Sequence, residues 1–213
     1  MDKKETLVFI PDGKIHLPGS LEIPKGTKGL VLFAHGSGSS RFSPRNNYVA
    51  EMLRQHGLGT LLMDLMTPEE DLDYERRFDI DLLTRRLIAA TKWLREQDET
   101  SQLAIGYFGA STGAAAAIQA AATLDEQVSA IVSRGGRPDM AFPYLDKINS
   151  PTLLIVGGND DVVIDLNQKA YEKITAVKEL EVIPGATHLF EEPGALEIVA
   201  KLAARWFEKY LGK

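Results

Sequence analysis

Leu103-Ala104-Ile105-Gly106-Tyr107-Phe108 runs without a break into Gly109-Ala110-Ser111-Thr112-Gly113 and then into Ala114-Ala115-Ala116-Ala117. The first six residues have the short, apolar composition of a buried strand, and the alanines that follow favour a helix. A chain that passes from strand to helix within five residues bends sharply. A serine at the apex takes a strained backbone conformation that only small neighbours two positions away permit. Gly109 and Gly113 occupy those positions. The helix start also directs free N–H groups and the positive end of the helix dipole toward Ser111, favouring negative charge there. Ser111 is therefore a candidate nucleophile for acyl transfer. The competing reading, a serine that merely caps a helix, is decided by what surrounds the turn.

Working outward, further short apolar runs end in Gly, Pro, Asn or Asp: 7–10, 15–23, 30–34, 59–63, 103–108, 128–132, 152–156 and 179–183. They predict eight strands. Pro11-Asp12-Gly13 makes the first two an antiparallel hairpin, whereas the later ones are separated by the long amphipathic stretches that parallel crossovers need. Helices are predicted over 47–55, 79–95, 113–122, 166–173 and 195–210, where apolar residues recur at three- and four-residue steps. The acidic patch Glu69-Glu70-Asp71 with Asp73 reads as a solvated loop. The pattern is that of an α/β protein with a mostly parallel sheet.

Composition narrows the chemistry. The 213 residues are 44% hydrophobic, enough for one domain over 1–213 with a single core. A net charge of −6 argues against nucleic acid as a partner. The chain has no cysteine, which excludes disulfides, thiolate metal sites and a cysteine nucleophile. The charged start Asp2-Lys3-Lys4-Glu5 does not resemble a signal peptide, and no apolar stretch is long enough to span a membrane. The expectation is a cytoplasmic protein with no membrane partner, a monomer or small homo-oligomer.

Four histidines allow a search for the base by elimination. His16 falls in the hairpin, His56 precedes Gly57 at a helix end, and His35 follows the strand 30–34. His188, in Pro184-Gly185-Ala186-Thr187-His188, follows the last strand and belongs on a loop at the carboxyl edge beside the Ser111 turn. Between the two lies Gly157-Gly158-Asn159-Asp160-Asp161, directly after the strand 152–156. A carboxylate there can accept the imidazole N–H and stabilise the imidazolium. Spacing does not choose between Asp160 and Asp161. The order serine, acid, histidine is the one this strand–turn–helix arrangement requires.

His35-Gly36-Ser37-Gly38-Ser39-Ser40 follows the strand 30–34. Acyl transfer needs two N–H donors aimed at the tetrahedral oxygen, one from the residue after the nucleophile and one from this loop, which points to Thr112 and Ser37. A phosphate-cradling role is disfavoured because no Gly-Lys-Ser or Gly-Lys-Thr ending follows.

Taken together, residues 35–41, Ser43-Pro44-Arg45-Asn46, 109–113, Ser133-Arg134-Gly135-Gly136-Arg137-Pro138-Asp139, 157–160 and Gly185-Ala186-Thr187-His188-Leu189-Phe190 resemble the α/β-hydrolase superfamily, and within it the small, lidless dienelactone hydrolase-like branch. The resemblance implies an α/β-hydrolase fold with helices on both faces of the sheet and no large cap domain. In its Gly-Gly-x-Asp pattern, with a Val three residues later, Asp160 and Val163 match, so Asp160 is implied as the acid. The namesake enzymes use a cysteine nucleophile; the serine here departs from that pattern and shifts the expected substrate to an ordinary carboxylic ester.

The expected reaction is cofactor-free and metal-free hydrolysis of a small, short-acyl ester by Ser111, His188 and Asp160. Lactone, thioester or amide hydrolysis, acyl transfer, or a non-catalytic binding role of the same fold are the alternatives. His35, Arg41, Arg134 and Arg137 are candidate substrate-binding residues. With Arg45, the arginines could form a patch for an acidic substrate, or could fix loops by pairing with Asp64, Asp139 or Glu191.

Overall fold

A computed structural model describes residues 5–212. Eight strands, β1 (Thr6–Asp12), β2 (Ile15–Glu22), β3 (Gly29–Ala34), β4 (Gly59–Met63), β5 (Ala104–Ala110), β6 (Ala130–Arg134), β7 (Thr152–Gly157) and β8 (Lys178–Ile183), form one sheet in the order β1-β2-β4-β3-β5-β6-β7-β8. The hairpin β1–β2 is antiparallel and β2 meets β4 antiparallel; all other pairings are parallel. Every residue of β3 and β7 is buried, as continuous apolar strands in the middle of a two-sided sheet should be.

Among the described residues, six α-helices accompany the sheet: α1 (Pro44–Gln55), α2 (Pro68–Asp71), α3 (Ile80–Glu96), α4 (Thr112–Leu124), α5 (Asp161–Lys173) and α6 (Ala195–Leu211). Their apolar stripes divide the core in two. Leu83, Leu87, Ala90 and Leu94 of α3, the alanines of α4 and Ala170 of α5 cover one face. Val49 and Leu53 of α1 with Val199, Ala203 and Phe207 of α6 cover the other. Alanine on α4 lets that helix lie close to β5 and α3, where longer side chains would hold them apart.

Helices α1, α2 and α3 start with side-chain caps. Ser43 Oγ accepts from Asn46 N at 3.3 Å, Asp79 Oδ1 accepts from Leu82 N at 2.9 Å, and Thr67 and Glu70 form a reciprocal capping box. Two expectations change here. The acidic patch is not a loop: it is α2, and Glu70 grips the buried Arg86 guanidinium at 2.6 and 2.7 Å. Helix α5 begins at Asp161, a full turn before the predicted Leu166, so the segment carrying Asp160 passes straight into helix.

Between β6 and β7 the chain makes only a 3₁₀ segment, Pro138–Tyr144, and among the described residues no large cap covers the carboxyl edge. Among the described residues, no helix is long and apolar enough to cross a membrane.

Candidate active site

Ser111 sits between β5 and α4 with φ 52° and ψ −121°, a conformation that costs a non-glycine residue about 1–3 kcal/mol. The two glycines explain how the strain is imposed. A Cβ on Gly109 would stand 2.4 Å from Ala114 Cα, and one on Gly113 would stand 2.2 Å from the Ala34 carbonyl oxygen. Strand, helix and the end of β3 therefore close on one another with no room for side chains. Ser111 N donates to the Arg134 carbonyl at 3.2 Å, and its side chain makes no capping bond to α4. The hydroxyl is left half-buried at the sheet edge and uncommitted to the helix.

His188 lies on the loop after β8. Its Nδ1 meets Asp160 Oδ2 at 2.7 Å, and because an ionised carboxylate only accepts, the ring donates from Nδ1 and presents Nε2 as a base. Asp161 is exposed in the first turn of α5, so of the two aspartates only Asp160 reaches the imidazole. The ends of β6 and β7 shape this corner. A Cβ on Gly135, whose φ is 51°, would lie 3.4 Å from His188 Nδ1, and one on Gly157 would lie 2.5 Å from the Ala186 carbonyl oxygen. Neither glycine was singled out for a role by its sequence context, although each stands directly at or after the end of a buried parallel strand. Phe190, buried two residues beyond His188, adopts φ 56°, an outlier for a bulky residue.

The loop after β3 rests on Ser111, since a Cβ on Gly36 would be 3.1 Å from Ser111 Cβ. Ser37 N donates to Thr112 Oγ1 at 3.0 Å, tying the two candidate oxyanion residues across 75 positions of sequence. His35 anchors the loop from below. Leu65 N donates to its Nε2 at 2.9 Å and its Nδ1 meets the Gly36 carbonyl at 2.9 Å, which fixes the neutral Nδ1–H tautomer. Burial holds its pKa below the usual histidine value, against the opposing pull of the Gly36 carbonyl, Asp64 and Asp71. Both nitrogens of the His35 ring, a candidate substrate-binding group, are thus engaged inside the protein, where they support the loop.

Most of the arginine patch is paired within the protein. Arg41 pairs with Asp64, Arg45 with Glu191 at 3.0 Å, and Arg137 with Asp139 at 2.8 and 2.7 Å, so these side chains, Arg41 and Arg137 among them, hold loops through the carboxylates weighed as the alternative to a substrate patch. Arg134 differs. It is 6% exposed, its guanidinium reaches the Asn46 side-chain oxygen at 3.4 Å, and burial, helped by the nearby Arg45 charge, brings its pKa down to about 10. Its guanidinium carbon lies 5.9 Å from the centre of the Phe190 ring. A hollow of about 420 Å³ on the outer side of the His188 loop is lined by Arg45, Tyr48 and residues 190–194 among others; Ser111, Thr112 and His188 do not line it.

A second polar chain reaches the site from the opposite edge. Asp12, the last residue of β1, meets Arg86 Nε at 3.3 Å; Arg86 donates to the Leu65 carbonyl at 2.7 Å; Leu65 N holds His35, and His35 holds Gly36. Burial alone would lower the Arg86 pKa, but the Glu70 and Asp12 carboxylates raise it, and in return Arg86 brings Glu70 down to about 2.

The elbow, the histidine–aspartate pair and the loop after β3 on an eight-stranded sheet define an α/β-hydrolase. The chain belongs to the dienelactone hydrolase family, whose sequence profile matches residues 69–211. The crystal structure of a dienelactone hydrolase from Anabaena variabilis superposes with a TM-score of 0.96 at 55% identity, covering 98% of this chain and 99% of that one. An esterase of Pyrococcus furiosus shares the fold at 20% identity, with a TM-score of 0.80 over 99% and 92% of the two chains. A Mycobacterium tuberculosis protein named "Putative phosphoribosyl transferase" is 56% identical over 204 residues, 96% of this chain but 46% of that protein. The chain therefore spans less than half the length of this relative.

Proposed function

We propose that the chain is a serine hydrolase of small, short-acyl carboxylic esters, with Ser111 as nucleophile, His188 as general base and acid, and Asp160 as the group that orients and stabilises the imidazolium. The observation that carries this reading is the 2.7 Å His188–Asp160 bond, which leaves the ring's other nitrogen as an acceptor, taken with an elbow serine whose side chain makes no capping bond. In the first step Ser111 Oγ adds to the ester carbonyl while its proton passes to His188 Nε2. The carbonyl oxygen takes the negative charge at the oxyanion residues Thr112 and Ser37, which are hydrogen-bonded to one another. His188 then returns the proton to the departing alcohol, leaving an acyl-serine. A water activated by the same imidazole repeats the sequence and releases the carboxylic acid.

Each step uses side chains and backbone of this chain with no cofactor or metal. The cap-free carboxyl edge supports a preference for short acyl groups, since little protein stands over Ser111 to enclose a long one. The transferase in the mycobacterial relative's name belongs to a protein with more than twice this sequence span, and nothing at Ser111 favours it over hydrolysis. Lactone or thioester cleavage would use the same groups in the same order.

The test is hydrolysis of p-nitrophenyl acetate by the purified chain, together with labelling by a fluorophosphonate probe. Turnover and labelling are both expected, and both should vanish in Ser111→Ala. Normal turnover by the Ser111→Ala protein would overturn the assignment of the nucleophile. Failure of the unaltered protein to react with either reagent would overturn the enzymatic reading.

A further inference from the structure

The Thr112–Ser37 contact has the wrong direction for a simple pair of backbone donors. If both residues served the oxyanion only through their amides, the Ser37 N–H would have to point at the carbonyl oxygen. Instead it donates to Thr112 Oγ1 at 3.0 Å. Thr112 is 2% exposed and starts α4, so its own N–H is one of the helix-start donors that face the nucleophile's side. Its hydroxyl is carried on the same residue as that N–H and is the group that ties the loop after β3 to the start of α4. A hydroxyl that accepts one hydrogen bond retains a proton to donate. Accepting from an amide polarises the O–H and makes it a better donor, because hydrogen bonds in series reinforce one another in a low-dielectric site.

Resting on the hydrolase reading above, we propose that the Thr112 side chain is itself an oxyanion donor. As the tetrahedral intermediate forms, the hydroxyl donates to the negative oxygen while still accepting from Ser37, so the loop's contribution reaches the substrate through a relay, Ser37 N–H to Thr112 O–H to oxyanion. The hydroxyl proton stays on Thr112 throughout; only hydrogen bonds strengthen and relax. The Thr112 N–H supplies the second, direct donor. The arrangement makes residue 112 part of the catalytic machinery by its side-chain chemistry and not by its backbone alone.

Valine replaces the hydroxyl with a methyl of nearly the same shape, and serine keeps the hydroxyl without the methyl, so the two separate chemistry from packing. For Thr112→Val, kcat on p-nitrophenyl acetate should fall about 10- to 100-fold with KM changed by less than about 3-fold, toward the range seen when an oxyanion donor is removed. Fluorophosphonate labelling of Ser111 should slow in parallel, because the phosphonyl oxygen occupies the same position. Thr112→Ser should recover most of the loss. Unchanged or faster turnover in Thr112→Val would overturn the proposal, as would equal losses in the valine and serine variants. If the valine variant does not fold, Thr112→Ala takes its place against the same serine control. An unaltered protein that neither turns over nor labels would instead strike the hydrolase reading, a result distinct from a fast valine variant.

Discussion

Two sets of helices in this molecule begin in opposite ways. At α1, α2 and α3 the residue before the helix is Ser43, Thr67 or Asp79, and in each the side chain turns back to satisfy an N–H of the first turn. At α4 and α5 the corresponding residues are Ser111 and Asp160, also of types that make good caps, yet neither side chain caps its helix. Ser111 is held off by backbone strain between two glycines, and Asp160 by its bond to His188. The first set spends its polar side chains on stability, about 1 kcal/mol apiece. The second set leaves them to the proposed chemistry.

The largest effect that could break this contrast is on turnover. Ser111→Ala should lose on the order of a million-fold in kcat, the scale seen for a triad serine elsewhere, while melting within about 1 kcal/mol of the unaltered protein because no cap is removed. Asp160→Asn should follow, at about ten thousand-fold, because the amide no longer fixes the Nδ1–H tautomer or stabilises the imidazolium. A retained rate in either variant, measured with p-nitrophenyl acetate, would dissolve the distinction between the two sets.

Gly113→Ala comes next and acts on the fold. Its Cβ meets the backbone of Ala34 and His35, which cannot step aside as a flexible side chain could, and we expect a loss of about 3 kcal/mol in urea unfolding. Asp79→Ala should cost about 1 kcal/mol in the same assay and leave kcat intact, the reverse of Ser111→Ala. A fall in kcat with Asp79→Ala would show that the capped helices are not mere scaffold.

Acid stability offers the finest comparison, between two groups whose folded pKa values lie below their unfolded ones. The His35 contribution is fully present above pH 6.5 and is lost as pH falls through its lowered folded value; the Glu70 contribution is present above 4.5 and is lost toward about 2. Melting temperature should therefore decline below pH 6.5, and the further decline between 4.5 and 2 should shrink in Glu70→Gln. An identical acid profile for Glu70→Gln would remove the second step.

What the sequence discloses follows the range of the interactions involved. The elbow is legible because its strand, glycines and alanines are consecutive, and the β-strands because 30–34 and 152–156 are apolar without interruption. Spacing does not separate Asp160 from Asp161, and only the family resemblance favours Asp160, since what divides them is the start of α5 at Asp161, and Asp-Val-Val has no helical signature of its own. The acidic patch read as solvated because Arg86, which buries against Glu70, lies sixteen residues further on. The partners of Arg41, Arg45 and Arg137 are among the alternatives the sequence offers, but the burial of Arg134 against Asn46 and Phe190 depends on where the surrounding strands and helices meet, and no local pattern records it.

The polar chain from Asp12 through Arg86, Leu65 and His35 to Gly36 bears on how far the molecule can be trimmed. An antiparallel hairpin at the edge of a parallel sheet invites deletion in the search for a minimal enzyme. Cutting it away would remove Asp12, leave the buried Arg86 with Glu70 as its remaining close carboxylate, and loosen the purchase of Leu65 on His35. The smallest working version of this protein therefore retains its first strands, although they supply none of the groups proposed to touch substrate.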